Sequence, residues 1–159
     1  MGMIIEALDP MDRLLAERAC ERLIVEFVHR LDLGHPGDVA DLFTDVGFWE
    51  WAEGGRRIQG RDALRSYFAG RPPDRLSRRI CTNILVTVTS KATATATTYF
   101  TTYRVDGYAG VFVPPRAPTQ VGHYEDSFLK VEGRWLLSSR SLYLAFAGPT
   151  ERLEATADE

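Results

Sequence analysis

His29 and Asp32 stand three residues apart near the end of an apolar helical pattern, so an imidazole and a carboxylate share one helix face. In an apolar pocket such a pair is a minimal acid–base kit. The carboxylate can hold the ring in one tautomer, or take a proton itself if burial lifts its pKa. His123 lies on a later extended segment and can serve as the acid if it faces inward. Arg79 has three readings. It can pair with Asp32 and make it a poor base, hold a substrate carboxylate or enolate oxygen in its planar fork, or point outward if the strand register slips by one. Tyr99 and Tyr103 share a strand face and either donate to a developing oxyanion or stack in a core or interface. Asn83 either orients a substrate oxygen or satisfies nearby backbone. Trp49 reads as cavity lining, and Trp135, just after a turn, as packing.

These residues need elements to position them. Asp9-Pro10 starts a helix, because Asp9 can cap free N–H groups and proline suits the first helical position. Leu14, Leu15, Leu23, Ile24, Phe27, Val28 and Leu31 then recur at helical spacing through Asp32, and Gly34 ends the run. Pro36 to Phe43 predicts a second short helix, Val46 to Trp51 a strand, Gly54-Gly55 a hairpin turn and Arg56 to Gln59 its partner strand. A third helix is predicted from Arg61 to Ala69. Beyond Pro73, runs rich in Thr, Val, Ile and Tyr predict strands over Arg78–Thr89, Ala92–Val105, Gln120–Val131 and Arg134–Phe146. Gly107 to Pro118 is a long Gly/Pro loop; its Val111, Phe112 and Val113 suit a lid, a dimer contact or a plain surface loop. Helices followed by long antiparallel strands predict an α+β domain, and strands of that length must twist and curl. A curled sheet capped by a long helix encloses a cone-shaped cavity.

Bulk properties remove other classes. The chain has 159 residues, 45% of them apolar and 26% charged, which suits one globular domain. The net charge of −3, without a basic block, offers nucleic acid no footprint. No apolar run approaches the roughly 18 residues of a membrane span, and the first ten residues do not read as a signal peptide. Cys20 and Cys81 read as reduced core residues of a cytoplasmic protein. Histidines 29, 35 and 123 lack the close spacing of a metal site, so no metal is expected. There is no Gly-x-Ser-x-Gly elbow, P-loop or dinucleotide fingerprint.

An ordered series runs through the chain: a long helix ending Leu31-Asp32, a short helix ending Leu42-Phe43-Thr44-Asp45, an aromatic strand, Gly60 opening a helix that ends Tyr67-Phe68, Thr82-Asn83, Tyr124-x-Asp126-x-Phe128, Gly133-Arg134-Trp135 and Arg140. From Asp9 to Arg140 it resembles the SnoaL-like family of the nuclear transport factor 2-like superfamily, which includes scytalone dehydratase, polyketide cyclases and steroid isomerases. The resemblance implies a cone: a strongly curved, mostly antiparallel sheet with three N-terminal helices closing a cavity. Residues 1–147 then form one domain of this kind, and residues 148–159, which are polar, are expected to fray. The resemblance implies a cofactor-free acid–base enzyme, a dehydratase, isomerase or cyclase, acting on a hydrophobic oxygenated ring compound such as a polyketide or steroid-like molecule. It also implies a homodimer or higher homo-oligomer. Tyr124, with Asp126 and Phe128, falls on the inner side and His123 on the other. The dehydratase-like branch has a tyrosine five residues before the aspartate and a histidine four before the asparagine; Phe27 and Arg79 stand there. Two alternatives follow. One is a small-molecule-binding or dimerisation domain without chemistry. The other is an epoxide hydrolase of the same fold, with Asp32, Arg79 and Asp126 holding a water.

Overall fold

The computed structural model describes residues 7–155. Helix α1 spans Pro10–Asp32, with Asp9 Oδ1 accepting the Met11 and Asp12 N–H groups at 2.9 and 3.4 Å. Its buried stripe is Ala16, Cys20, Leu23, Ile24, Phe27, Val28 and Leu31. Leu14 and Leu15, expected on that stripe, are instead exposed on the first turns. The second helical segment, Pro36–Leu42, is 3₁₀ rather than α and stops one residue short of Phe43, which opens strand β1 (Phe43–Trp51). Strand β2 (Arg56–Gln59) folds back on β1, and α2 spans Arg61–Ala69. Four long strands follow: β3 (Leu76–Val88), β4 (Thr93–Asp106), β5 (Gln120–Val131) and β6 (Arg134–Ala147). A two-residue strand, β7, lies at Glu151–Arg152.

The sheet runs β2-β1-β6-β5-β4-β3, antiparallel except that β1 pairs parallel with β6 and β7 parallel with β4. It is strongly curled, a half-barrel whose concave face the helices cover. Register shifts at Thr82/Leu85, Val121/Gly122 and Ser127/Phe128 mark bulges where long strands bend. Asn83 occupies the first with φ +52°, a conformation asparagine tolerates better than most residues. At the second, a side chain on Gly122 would lie 2.0 Å from the Tyr143 carbonyl oxygen, so only glycine fits there.

Residues 148–155, expected to fray, are tied down. Gly148 donates to the Thr119 carbonyl, β7 pairs with Val105 and Asp106 where β5 has ended, and Arg152 pairs with Asp74 at 2.8 Å. The rest of the expected tail, 156–159, lies outside the described residues. The core centres on Phe27, with Phe43, Phe68 and Tyr124 edge-on to it at centroid distances of 6.3, 5.6 and 6.4 Å. Beneath it the Asp126–Arg140 pair is 0% exposed on both sides, joined by two bonds of 2.8 and 2.7 Å. The Arg140 guanidinium lies over both the Phe27 and Tyr124 rings, 4.4 and 4.1 Å from their centroids.

Candidate functional site

Alternation along β3 sends Ser77, Arg79 and Cys81 to the concave side, leaving Arg78 and Ile80 outside. On β4, Arg104 and Thr102 stand opposite Ser77 and Arg79 and face the same way. The last turn of α1 runs against this wall. Asp32 accepts Ser77 Oγ–H at 2.6 Å and Arg79 Nη1–H at 2.5 Å on one oxygen, and the Arg79 backbone N–H at 2.6 Å on the other. Arg71, from the α2–β3 connection, donates to the Leu31 and Arg75 carbonyls and to Ser77 Oγ at 2.7 Å. Its bond to Leu31 caps the C-terminus of α1 with a positive charge, the favourable sign there.

In front of this network lies a cavity of about 360 Å³. One wall is aromatic: Trp49 and Tyr67 stack at 5.5 Å and 29°, with Trp51 and Phe68 beside them. A second stack, Phe100 on Tyr124 at 4.5 Å and 25°, lies deeper. Burial pushes the Tyr124 phenol pKa up, so it stays a hydroxyl, and no bond to it from the protein occurs among the described residues. The polar lining is cationic. Arg56, Arg71, Arg75, Arg79 and Arg104 all reach the cavity, and among the described residues no carboxylate or histidine does.

Among the described residues, two of the five guanidiniums are answered by an acid. Arg75 binds Asp106 twice, at 2.7 and 3.0 Å, and Arg79 binds Asp32. Arg56 donates to the Tyr67 hydroxyl at 3.0 Å, and Arg104 Nε to Thr150 Oγ1 at 2.8 Å. Burial, then the charge of Arg79, pushes the Arg71 pKa down to about 10; burial, then Arg75 and Arg79, does the same to Arg104.

Of the residues expected at the site, Arg79, Phe27, Trp49 and Tyr124 line the cavity. Asp32 does not. It stands behind Arg79, its side chain 6% exposed and both oxygens already bonded. The other expectations are corrected by position. His29 is exposed on α1, three residues from Asp32 but with no bond to it. His123 lies on the outer face, stacked on Tyr143 at 4.9 Å and 3.3 Å from Glu125, because Tyr124 takes the inward place beside it. Tyr99 and Tyr103 are exposed on that outer face, alternating with inward Phe100 and Thr102. Asn83 is spent on the β3 bulge. The epoxide-hydrolase set does not form, since Asp126 is bound to Arg140 in the core while Asp32 is bound to Arg79. Val111, Phe112 and Val113 do not line the cavity; Val113 covers an outer groove beside Tyr103.

Ser77 and four of the cavity arginines belong to no motif that marks them in the sequence. A usable signal was the basic composition: of 19 Lys and Arg residues only Lys91 and Lys130 are lysine, and arginine is the side chain suited to forked oxyanion recognition. No group of three or more metal-ligating side chains forms among the described residues, nor is any described helix long and apolar enough to cross a membrane.

Comparison with known proteins agrees with this architecture. The SnoaL-like domain family matches residues 12–141. Solved structures with the same fold include a proposed scytalone dehydratase from Novosphingobium aromaticivorans, 22% identical, with TM-score 0.71 over 94% of this chain and 100% of that one. A type-3 hexachlorocyclohexane dehydrochlorinase from Novosphingobium barchaimii LL02 is 14% identical, with TM-score 0.70 over 94% of this chain and 100% of that one. A protein of unknown function from Mycobacterium tuberculosis is 22% identical, with TM-score 0.69 over 82% and 77% of the two chains. No curated protein matches.

Proposed function

The chain belongs to the SnoaL-like domain family, and on that premise we propose that its cavity binds a hydrophobic, oxygenated ring compound without a cofactor. The observation that carries this reading is the lining, which combines stacked aromatic rings with guanidinium donors. Rings bury against rings, while arginine forks hold ligand oxygens in place. Titration with 2-acetylnaphthalene, a neutral ring ketone, tests it. We expect saturable quenching of tryptophan fluorescence, weakened about tenfold by Trp49→Leu, which removes the stack on Tyr67. Saturable quenching that ignores this substitution removes the reading.

A second reading is a lyase or isomerase. It is favoured by Asp32 standing directly behind Arg79 on the cavity wall, and the fold is shared with proteins described as a dehydratase and a dehydrochlorinase. Here Arg79 stabilises a developing enolate oxygen, while Asp32 must release Ser77 or Arg79 to accept a proton. Exchange of the methyl protons of 2-acetylnaphthalene in D₂O, followed by NMR, separates the two. Protein-catalysed exchange that Asp32→Asn abolishes establishes the enzyme. Absence of catalysed exchange from a protein that binds the ketone leaves a binding domain. For assembly we propose a homodimer through the outer sheet face, where Tyr99, His123 and Tyr143 stand in one cross-strand row.

A further inference from the structure

Resting on the reading of the cavity as a small-molecule site, we infer that its ligand is an acid, a ring compound whose oxyanion sits on the cluster of Arg71, Arg79 and Arg104. The charge count leads there. Five guanidiniums line one cavity and, among the described residues, two carboxylates answer them, in a chain whose net charge is −3. The excess positive charge is therefore collected by the fold at this place. Partly buried charges cost free energy unless paired, and like charges close together in a low-dielectric wall add to that cost. A bound anion relieves both.

Geometry narrows the seat. Arg104 stands opposite Ser77, and Arg79 lies two residues along the same strand as Ser77. Diagonal neighbours of this kind stand about 7 Å apart at the backbone, close enough for two long side chains to converge on one group. Arg79 Nε and Nη2 and Arg104 Nη1 and Nη2 have no protein acceptor among the described residues. Two planar forks are thus left with free donors, the arrangement that binds a carboxylate or phosphate in preference to a neutral carbonyl.

The remaining lining says what the oxyanion is attached to. A bare inorganic anion would leave the Trp49–Tyr67 and Phe100–Tyr124 walls facing water. The volume of about 360 Å³ equals about a dozen waters, enough for a molecule of one or two rings. The class is therefore an aromatic or polycyclic acid, its anion a carboxylate or a phosphate ester.

Calorimetric titration of the full chain with 2-naphthoate, 2-naphthyl phosphate and neutral 2-acetylnaphthalene tests this. At least one of the acids should bind about tenfold or more tightly than the ketone, and its affinity should fall as salt rises. Arg104→Gln should weaken that acid about tenfold, and by clearly more than it weakens the ketone. The tighter acid identifies the source of the oxyanion, carboxylic acid or phosphate ester. A ketone that binds the native chain as tightly as both acids overturns the inference while leaving the cavity reading intact, and needs no variant to show it. Unchanged acid affinity in a folded Arg104→Gln variant also overturns it. Failure of all three probes to bind removes the cavity reading and this inference together.

Discussion

Buried Ser77 and half-buried Arg104 face each other across two strands and illustrate opposite uses of a polar residue. Ser77, 1% exposed, donates to Asp32 and accepts from Arg71 and Arg79, so it joins three elements. Ser77→Ala should cost about 2 kcal/mol, read as a lower urea midpoint at unchanged slope. Arg104 works against the fold. Burial and two neighbouring arginines hold its pKa down at about 10, so its charge is a liability at neutral pH. Arg104→Gln should raise stability by about 1 kcal/mol, or roughly 3 °C in Tm, while removing affinity for acids. The sign of the pH effect follows. With Arg71 and Arg104 titrating near 10 in the free protein, affinity for an acid should hold through neutral pH and fall as pH rises past about 10. At this scale the sequence was partly legible. Tyr124 and Trp49 were placed by aromatic character and strand alternation. For His29 and His123 residue type says nothing about the face, and one step of register separates His123 from Tyr124. Ser77 carries no chemical signal until its three partners are assembled.

The β1–β2 hairpin sets the aromatic wall. A side chain on Gly54 would come within 2.2 Å of the Trp51 ring, so the glycine is what lets Trp51 lie over the turn. Gly54→Ala should cost about 2 kcal/mol and change the near-ultraviolet circular dichroism as Trp51 moves. Most elements were readable from period and punctuation: α1 from its cap and apolar stripe, the hairpin from Gly54-Gly55, the four long strands from Thr, Val and Tyr runs. Their ends were less so. β3 begins at Leu76, two residues before the predicted start, because Leu76 pairs with Val105 at long range. β7 was invisible because its two residues, Glu151 and Arg152, are polar and owe their pairing to the free edge of β4 beyond Gln120. That early start of β3 is what brings Ser77 into the site.

The whole molecule is organised around a buried ion pair beneath a cationic pocket. Asp126 and Arg140 bridge β5 and β6, and Phe27 of α1 rests on the guanidinium. Breaking such a pair strands a charge, whereas replacing both members with apolar groups does not. Asp126→Asn should therefore lose about 3–5 kcal/mol in urea unfolding, and Asp126→Leu with Arg140→Met should recover most of it. Above this centre the fold gathers aromatic rings and five arginines into one cavity, three of them answered by no acid among the described residues, and an acidic ring compound completes them. A crystal structure with 2-naphthoate tests that most directly. The ring should lie against the Trp49–Tyr67 stack, with its carboxylate within about 3 Å of the Arg79 and Arg104 forks. A ligand whose carboxylate points to solvent, or density anywhere but this cavity, would contradict it.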